Sequence, residues 1–397
     1  MRATVLLLLT LVLFSGSFGT VFGLVSGPSR GASFTYTHFE VNAQHWLLDS
    51  GDIDDGSEEA LSVLVDPLVG VLDFDLPPGI YEGRARVLTD AEDTLARMVA
   101  AKPQVILITQ SWQDHLHAPT LRRLKDELPC GSFLVLAPPS GEKQLRAIFE
   151  DPEEREGGEA GGDGSSVVRV LRPGESICEA DGDGDGGLRR LLPEGMLRCS
   201  FTATEGSLVG PPWSARENGY LCRWASGCGG SGASVGGSVY TEPHSDLRRR
   251  NGSLRPKGAD GDEAVDIVIA PVVKQALRPN PSSPTAGYGT GGAGGGAGAG
   301  AAGGGGGLDD LASFTLVHGG ERALSVAAAL GASTLIPLAN GDIEATGRLA
   351  PFVKATGSAA ETAELARRRF PAIEVLPPPK PGAPLRVEIS SGTGDQK

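Results

Sequence analysis

Residues 114–117 read D-H-L-H, and no other short stretch of the chain concentrates so many side chains suited to chemistry. Asp114, His115 and His117 place one carboxylate and two imidazoles in a single turn, a donor set that a Zn, Fe or Mn ion accepts. The chain has six histidines, and His244 stands in a comparable setting, in the run S-V-Y-T-E-P-H-S-D from Ser238. The same residues have a plainer reading. Asp114 would cap a helix beginning near Ala118, with the imidazoles on a wet surface, and His244 would be hydrogen-bonded in the turn after Pro243.

The surrounding pattern shows what must hold these groups. Residues 105–108 form a continuous β-branched and leucine run, as expected of a strand covered on both faces. Leu121, Leu124 and Leu128, with charges between them, make 119–128 an amphipathic helix. A helix over 89–100, with Asp90 in its first turn and Lys102-Pro103 closing it, leads into that strand. A strand at 133–137 and a helix at 141–149 continue the alternation of an α/β protein. Upstream, 46–49 and 61–66 are apolar runs joined by a polar turn, a hairpin signal. Downstream, strands are expected at 167–171, 197–204, 265–271, 333–337 and 385–389, and 238–246 reads as a strand ending in a polar turn. Helices are expected at 321–330, stopping at Gly331, and at 359–369.

The order of small motifs along this frame resembles the metallo-β-lactamase fold. Its signature turn is H-x-H-x-D-H at the end of a buried strand, and Asp114 and His115 fill the last two places. V-L-V-D-P, ending in Asp66-Pro67, is similar to the early hairpin of relatives that act on phosphodiesters and lactones. Asn218-Gly219-Tyr220 matches the step that opens a later strand, and S-F-T-L-V-H-G-G-E-R-A from Ser313 matches the turn before a late helix. The resemblance implies an α/β fold, an αββα sandwich of two mixed β-sheets flanked by helices. It also implies a hydrolase using a metal-activated water, with Asp114 in the catalytic role.

The departures limit the site. Gln110 and Trp112 stand where the first two motif histidines belong, and Ala339 stands where the last one does. No histidine lies between His117 and His244, so the third ligand of the first metal position is absent, with Glu205 a conceivable substitute. His244 falls on the position of the family's bridging Asp. The resemblance therefore implies at most one Zn, Fe or Mn ion, held by Asp114, His115 and His244. The competing reading is a binding or scaffold protein that kept the fold and lost the metal.

Composition bounds the rest. A formal charge of -14 argues against a phosphate backbone as the main partner. The substrate class expected is a small or lipid-like molecule. Five cysteines in 397 residues, without paired spacing, suggest neither a disulfide scaffold nor a structural zinc, although Cys222 and Cys228 could close a hairpin loop. Residues 1–19 carry the charged, apolar and small-residue regions of a signal peptide, too short in their apolar run to span a bilayer. Residues 20–38 contain no acid and read as a transit-like leader, together suggesting plastid import through the secretory route, with plain secretion the alternative. A single domain is expected over 39–390, interrupted by Gly-rich or acidic insertions at 151–166, 179–187 and 276–311, with 391–397 as a tail. The D-G-D-G-D-G run from Asp181 opens like a calcium loop but has Leu192 where the closing Glu should be.

Overall fold

In a computed structural model the described residues are 32–50, 60–86, 90–150, 167–178, 191, 197–208, 216–226, 236–245, 264–277, 314–341 and 343–389. The expected signal peptide, the Asp181 run, Cys228, the tail and most of each insertion lie outside them.

The first half of the chain builds β1 (Ser33–His38), β2 (Gln44–Asp49), β3 (Leu61–Val65), β4 (Glu82–Ala85), α1 (Ala91–Ala100) and β5 (Val105–Leu107). It continues with α2 (Ala118–Glu127), β6 (Leu134–Ala137), α3 (Glu142–Phe149) and β7 (Val168–Val170). The second half supplies β8 (Ser176–Cys178), β9 (Leu197–Leu208), β10 (Arg216–Ser226), β11 (Gly236–Thr241), β12 (Ile267–Pro271), β13 (Lys274–Leu277) and β14 (Phe314–Val317). After these come α4 (Gly320–Ala329), β15 (Thr334–Leu338), β16 (Ile343–Thr346), β17 (Val353–Thr356), α5 (Ala359–Arg369), β18 (Glu374–Val375) and β19 (Pro384–Glu388).

Two mixed sheets of seven strands result, ordered β19-β1-β2-β3-β5-β6-β7 and β18-β15-β12-β11-β10-β9-β8. Their alternation sets the layers. Val63, Val65, Val105 and Leu107 point inward and meet Phe201, Tyr220, Trp224, Val239, Ile267 and Ile336 of the other sheet in one core. The residues between them, Leu64 and Ile106, point outward into a second core with Leu95 and Met98 of α1, Leu121 and Leu124 of α2 and Leu145 of α3. On the far side, Leu221, Val268 and Leu335 meet Ala323, Leu324 and Ala327 of α4 and Ala366 of α5. This helix, sheet, sheet, helix stacking is the αββα sandwich that the motif order implied, and it leaves strands such as β3, β5, β12 and β15 buried on both faces.

The structure corrects several boundaries. Ser33–His38, placed by composition in the leader, is β1, hydrogen-bonded between β19 and β2, so the folded part includes residues ahead of Phe39. Residues 276 and 277, assigned to an insertion, belong to β13, which pairs with β14 and β17 in a three-stranded sheet. Asp90 is the cap of α1 rather than part of its first turn, its carboxylate accepting from the amides of Glu92 and Asp93. The polar turns hold where the chain demands it: Asp66, directly after β3, takes a left-handed φ of 45°, a conformation that short Asx side chains tolerate better than most.

His38 and His45 give the sheet a pH dependence. Burial lowers both imidazoles from 6.5 to about 4, and His38, only 4 % exposed, leaves its Nδ1 unpartnered. Between pH 6.5 and 4 the unfolded chain binds a proton that the folded chain refuses, so stability is lost as pH falls through that window and is unaffected above it. For His38 the loss at pH 4.5 should be about 2.5 kcal/mol. Urea titrations at pH 7 and 4.5 should show a smaller acid loss in His38→Gln than in the parent protein, and an equal loss would exclude His38 as its source.

Candidate metal centre

In the first sheet β3, β5 and β6 run parallel, so the carboxyl ends of β3 and β5 lie side by side, with Val65 opposite Leu107. Asp66 follows β3 and Thr109 follows β5. The Asp66 carboxylate accepts from the Thr109 amide (2.8 Å) and hydroxyl (2.6 Å) and is 2.8 Å from Nδ1 of His115. The short turn 110–117 then folds back, with the amides of His115 and Leu116 donating to the carbonyl of Trp112. His115 is thereby driven inward and is fully buried.

Fixing Nδ1 on Asp66 turns Nε2 toward Asp114, whose Oδ2 is 3.3 Å away, and toward the Asn42 side-chain amide at 3.2 Å. Asn42 also donates to the Asp114 carbonyl (3.2 Å). From the second sheet, the turn after β11 brings in His244, its ring 5.6 Å from that of His115. Glu242 anchors that turn: its carboxylate accepts from the His244 amide (3.1 Å) and from the Ser207 hydroxyl. The amide of His318, the residue after β14, closes it by donating to the His244 carbonyl (2.9 Å). Across the sandwich, Glu217 of β10 accepts from Ser111 (3.0 Å) and Ser140 (2.5 Å), tying the 110–117 turn to the second sheet.

Donor atoms of Asp114, His115 and His244 all lie within 4.8 Å of one another, and among the described residues this is the cluster that could hold an ion. A tetrahedral ion with bonds near 2 Å needs donors roughly 3.3 Å apart, a spacing already met by His115 and Asp114. A carboxylate behind the ligand imidazole is the usual means of fixing its ring and tautomer, and Asp66 supplies it. The residues present therefore fit one ion.

The electrostatics point the same way. Burial works against a charge on His115, but the carboxylates of Asp114 and Asp66 outweigh it and hold the imidazole up at about 10. Asp114 is lowered, its burial being outweighed by the charge of His115 and their hydrogen bond. His244 is pushed down to about 3 by burial and then by the charge of His115. Nε2 of His115 faces both the Asp114 carboxylate and the Asn42 amide, and the carboxylate favours a cation at this point, either a proton or a metal ion.

The other sequence candidates fall elsewhere. His117 is buried, not on a wet surface, and its Nδ1 bonds the Thr120 hydroxyl at 2.7 Å in the first turn of α2. It occupies the cap position of that helix without capping it, and Asp114 does not cap it either. Glu205 is not a replacement ligand, because β9 runs on to Leu208 and places Glu205 opposite Asn218 and beside Arg216. Gln110 is fully buried with both amide atoms unpartnered, whereas Trp112 is exposed. Cys222 lies 3.8 Å from Cys199 in the core, a pairing the sequence did not suggest. The supporting roles of Asn42 and Thr109 were also missed; the only local hint of Asp66 was the Asp-Pro step.

No protein-family model matches this chain, and no curated protein sequence does. Among solved structures the chain is similar to Igni18, a novel metallo hydrolase from the hyperthermophilic archaeon Ignicoccus hospitalis, at 12% identity and a TM-score of 0.46, covering 90% of this chain and 100% of that one. Unliganded yeast PDE1 aligns at 11% identity with a TM-score of 0.41, over 87% of this chain and 98% of that one. A long form RNase Z from yeast aligns at 10% identity and 0.37, over 80% of this chain and 38% of that one. The layers and the clustered donors themselves define the class: an αββα sandwich of two mixed sheets, the architecture the motif resemblance implied, with a candidate metal centre at the carboxyl ends of its parallel strands.

Proposed function

We propose that this protein is a metal-dependent hydrolase that binds one Zn, Fe or Mn ion through Asp114, His115 and His244. The observation that carries the reading is the convergence of these three residues, from two sheets, on one point backed by Asp66. Three protein donors leave a position open, the usual arrangement of a catalytic site. When bound, such an ion supplies Lewis-acid activation of a water and of the bond to be cleaved. The chain's own part is positioning. Asp66 orients the His115 ring, Asn42 steadies Asp114, and Glu242 with His318 fixes the turn that presents His244. Asp114 keeps an edge at 22% side-chain exposure, from which its ionised carboxylate can accept a hydrogen bond from a group at the open position.

A second reading has its own support. Protonated His115 between Asp66 and Asp114 satisfies this cluster without metal, and Gln110, Trp112 and Ala339 remove the further ligands of a two-metal site. That reading is a binding or scaffold protein on the same fold.

Elemental analysis separates them. Protein produced with zinc, iron and manganese present should carry close to one ion per chain, and His115→Ala should lose it along with any hydrolytic activity while keeping its circular dichroism. His117→Ala, in a residue bonded to Thr120 rather than to the cluster, should retain the ion. Metal content near zero in the parent protein leaves the scaffold reading.

A further inference from the structure

Two large apolar side chains are exposed among the described residues, and one of them, Trp112 at 41 %, stands two positions before Asp114. Its ring packs edge-on against Phe74, with centroids 6.0 Å apart and planes at 78°, and Phe74 in turn packs against Tyr81 at 5.5 Å. The row adjoins the candidate site through the chain itself, since Gln113, which bonds the loop carrying Phe74, stands between Trp112 and Asp114.

The row is held under strain. Phe74 and Asp75 have φ of 56° and 55°, a left-handed conformation unfavourable for both and markedly so for an aromatic residue. Gln113 enforces it: its side-chain oxygen accepts from the amides of Asp73 (3.1 Å) and Phe74, and its nitrogen donates to the carboxylate of Asp73 (2.9 Å). Gln113 lies between Trp112 and Asp114, so a single residue locks the strained loop to the metal turn. Strain that the surroundings over-determine in this way concentrates at functional sites.

We propose that Trp112, backed by Phe74 and Tyr81, is a stacking wall that holds a flat aromatic group of the substrate, neutral or cationic, beside Asp114. This rests on the hydrolase reading for the reaction but not for the binding. Rings with centroids near 6 Å touch one another, so no group enters between them, and the free face of Trp112 is the surface offered. Charge selects among flat groups. Asp73, Asp75 and Asp114 surround the wall, and residues 67–81 and 110–117 contain no Lys or Arg. The carboxylates of Asp73 and Asp75, both bonded by the Gln113 amide next to Trp112, make this rim of the wall negative, so a cation gains from them as well as from the indole face.

The test uses three flat bicyclic probes of differing charge: N-methylquinolinium, quinoline, which is neutral at pH 7.5, and naphthalene-2-sulfonate. Binding is followed by isothermal titration calorimetry of the full chain, with and without added zinc. N-methylquinolinium and quinoline should bind at least tenfold more tightly than the sulfonate. Trp112→Ala should weaken them about tenfold, and Trp112→Phe should restore most of that loss. Gln113→Ala, which frees the strained loop without removing a ring, should weaken them as well. Affinities unchanged in Trp112→Ala, or tightest for the sulfonate, overturn the wall while leaving the metal centre standing. Probe binding that depends on Trp112 in a protein that takes up no zinc supports the wall and removes only the hydrolase.

Discussion

Asp66→Ala is expected to cost about 3 to 5 kcal/mol of folding stability, a large share of what a typical domain has. The carboxylate is 1 % exposed and accepts from three buried donors: the Thr109 amide, the Thr109 hydroxyl and His115 Nδ1. Removing it strands all three in the interior, where each unpaired group costs about 1 to 3 kcal/mol. Alanine also tolerates the φ of 45° at this position less well. Asp66→Asn separates the contributions, because it keeps an acceptor for Thr109 and accepts the left-handed backbone, and it should cost about 1 to 3 kcal/mol. Urea unfolding at pH 7 measures both. The same variants report on the proposed site: if it takes up zinc, losing the backing of His115 should lower that affinity roughly 10- to 100-fold in either. An Asp66→Ala protein as stable as its parent would show that the carboxylate is not what fixes His115.

That residue also shows where the sequence was legible and where it was not. The organising strand and its turn could be read because their signals are local: an apolar run at 105–108, then an Asp-His pair, then leucines at helical spacing. The layers followed from the alternation of such runs. The partners of the metal turn could not be read, because they are brought in by register. Asn42 sits in V-N-A-Q and Thr109 in a strand end, with nothing in either context to mark them, and they reach Asp114 and Asp66 only because β2, β3 and β5 are neighbours. Glu205 failed for a related reason. Counting residues placed it in a loop, but the pairing of β9 with β10 extends past it and turns it toward Arg216. β13 was hidden by composition: K-Q-A-L lies just ahead of a Gly-rich stretch and has little apolar signal of its own, and its strand conformation comes from β14 and β17 on either side. Trp112 read as a lost ligand. Its packing on Phe74 depends on a left-handed loop stabilised by Gln113, which no local pattern announces.

Trp224→Ala should be comparably severe, at about 3 to 5 kcal/mol, and it tests how the two sheets are joined. Trp224, on β10, is 2 % exposed; its ring lies 6.0 Å from that of Phe34 in the opposite sheet, and its indole N–H donates to the Asp49 carbonyl of β2 at 3.2 Å. The ring rests on Gly237, its partner in β11, where an added Cβ would come within 2.4 to 2.9 Å of the indole. A glycine is therefore required there to seat the tryptophan, and Gly237→Ala should cost about 1 to 3 kcal/mol by overpacking. Trp224→Phe, which keeps most of the ring and gives up the bond to Asp49, should cost less than the alanine variant. The two alanine changes should not add. Once the indole is gone, the new methyl at 237 meets no clash and partly fills the cavity, so the double variant should be more stable than the sum of the singles predicts by about 0.5 to 3 kcal/mol. Denaturant titrations of the four proteins close the cycle. Strict additivity would mean that Trp224 does not rest on Gly237, and that the sheets are held together at this point by something other than the indole.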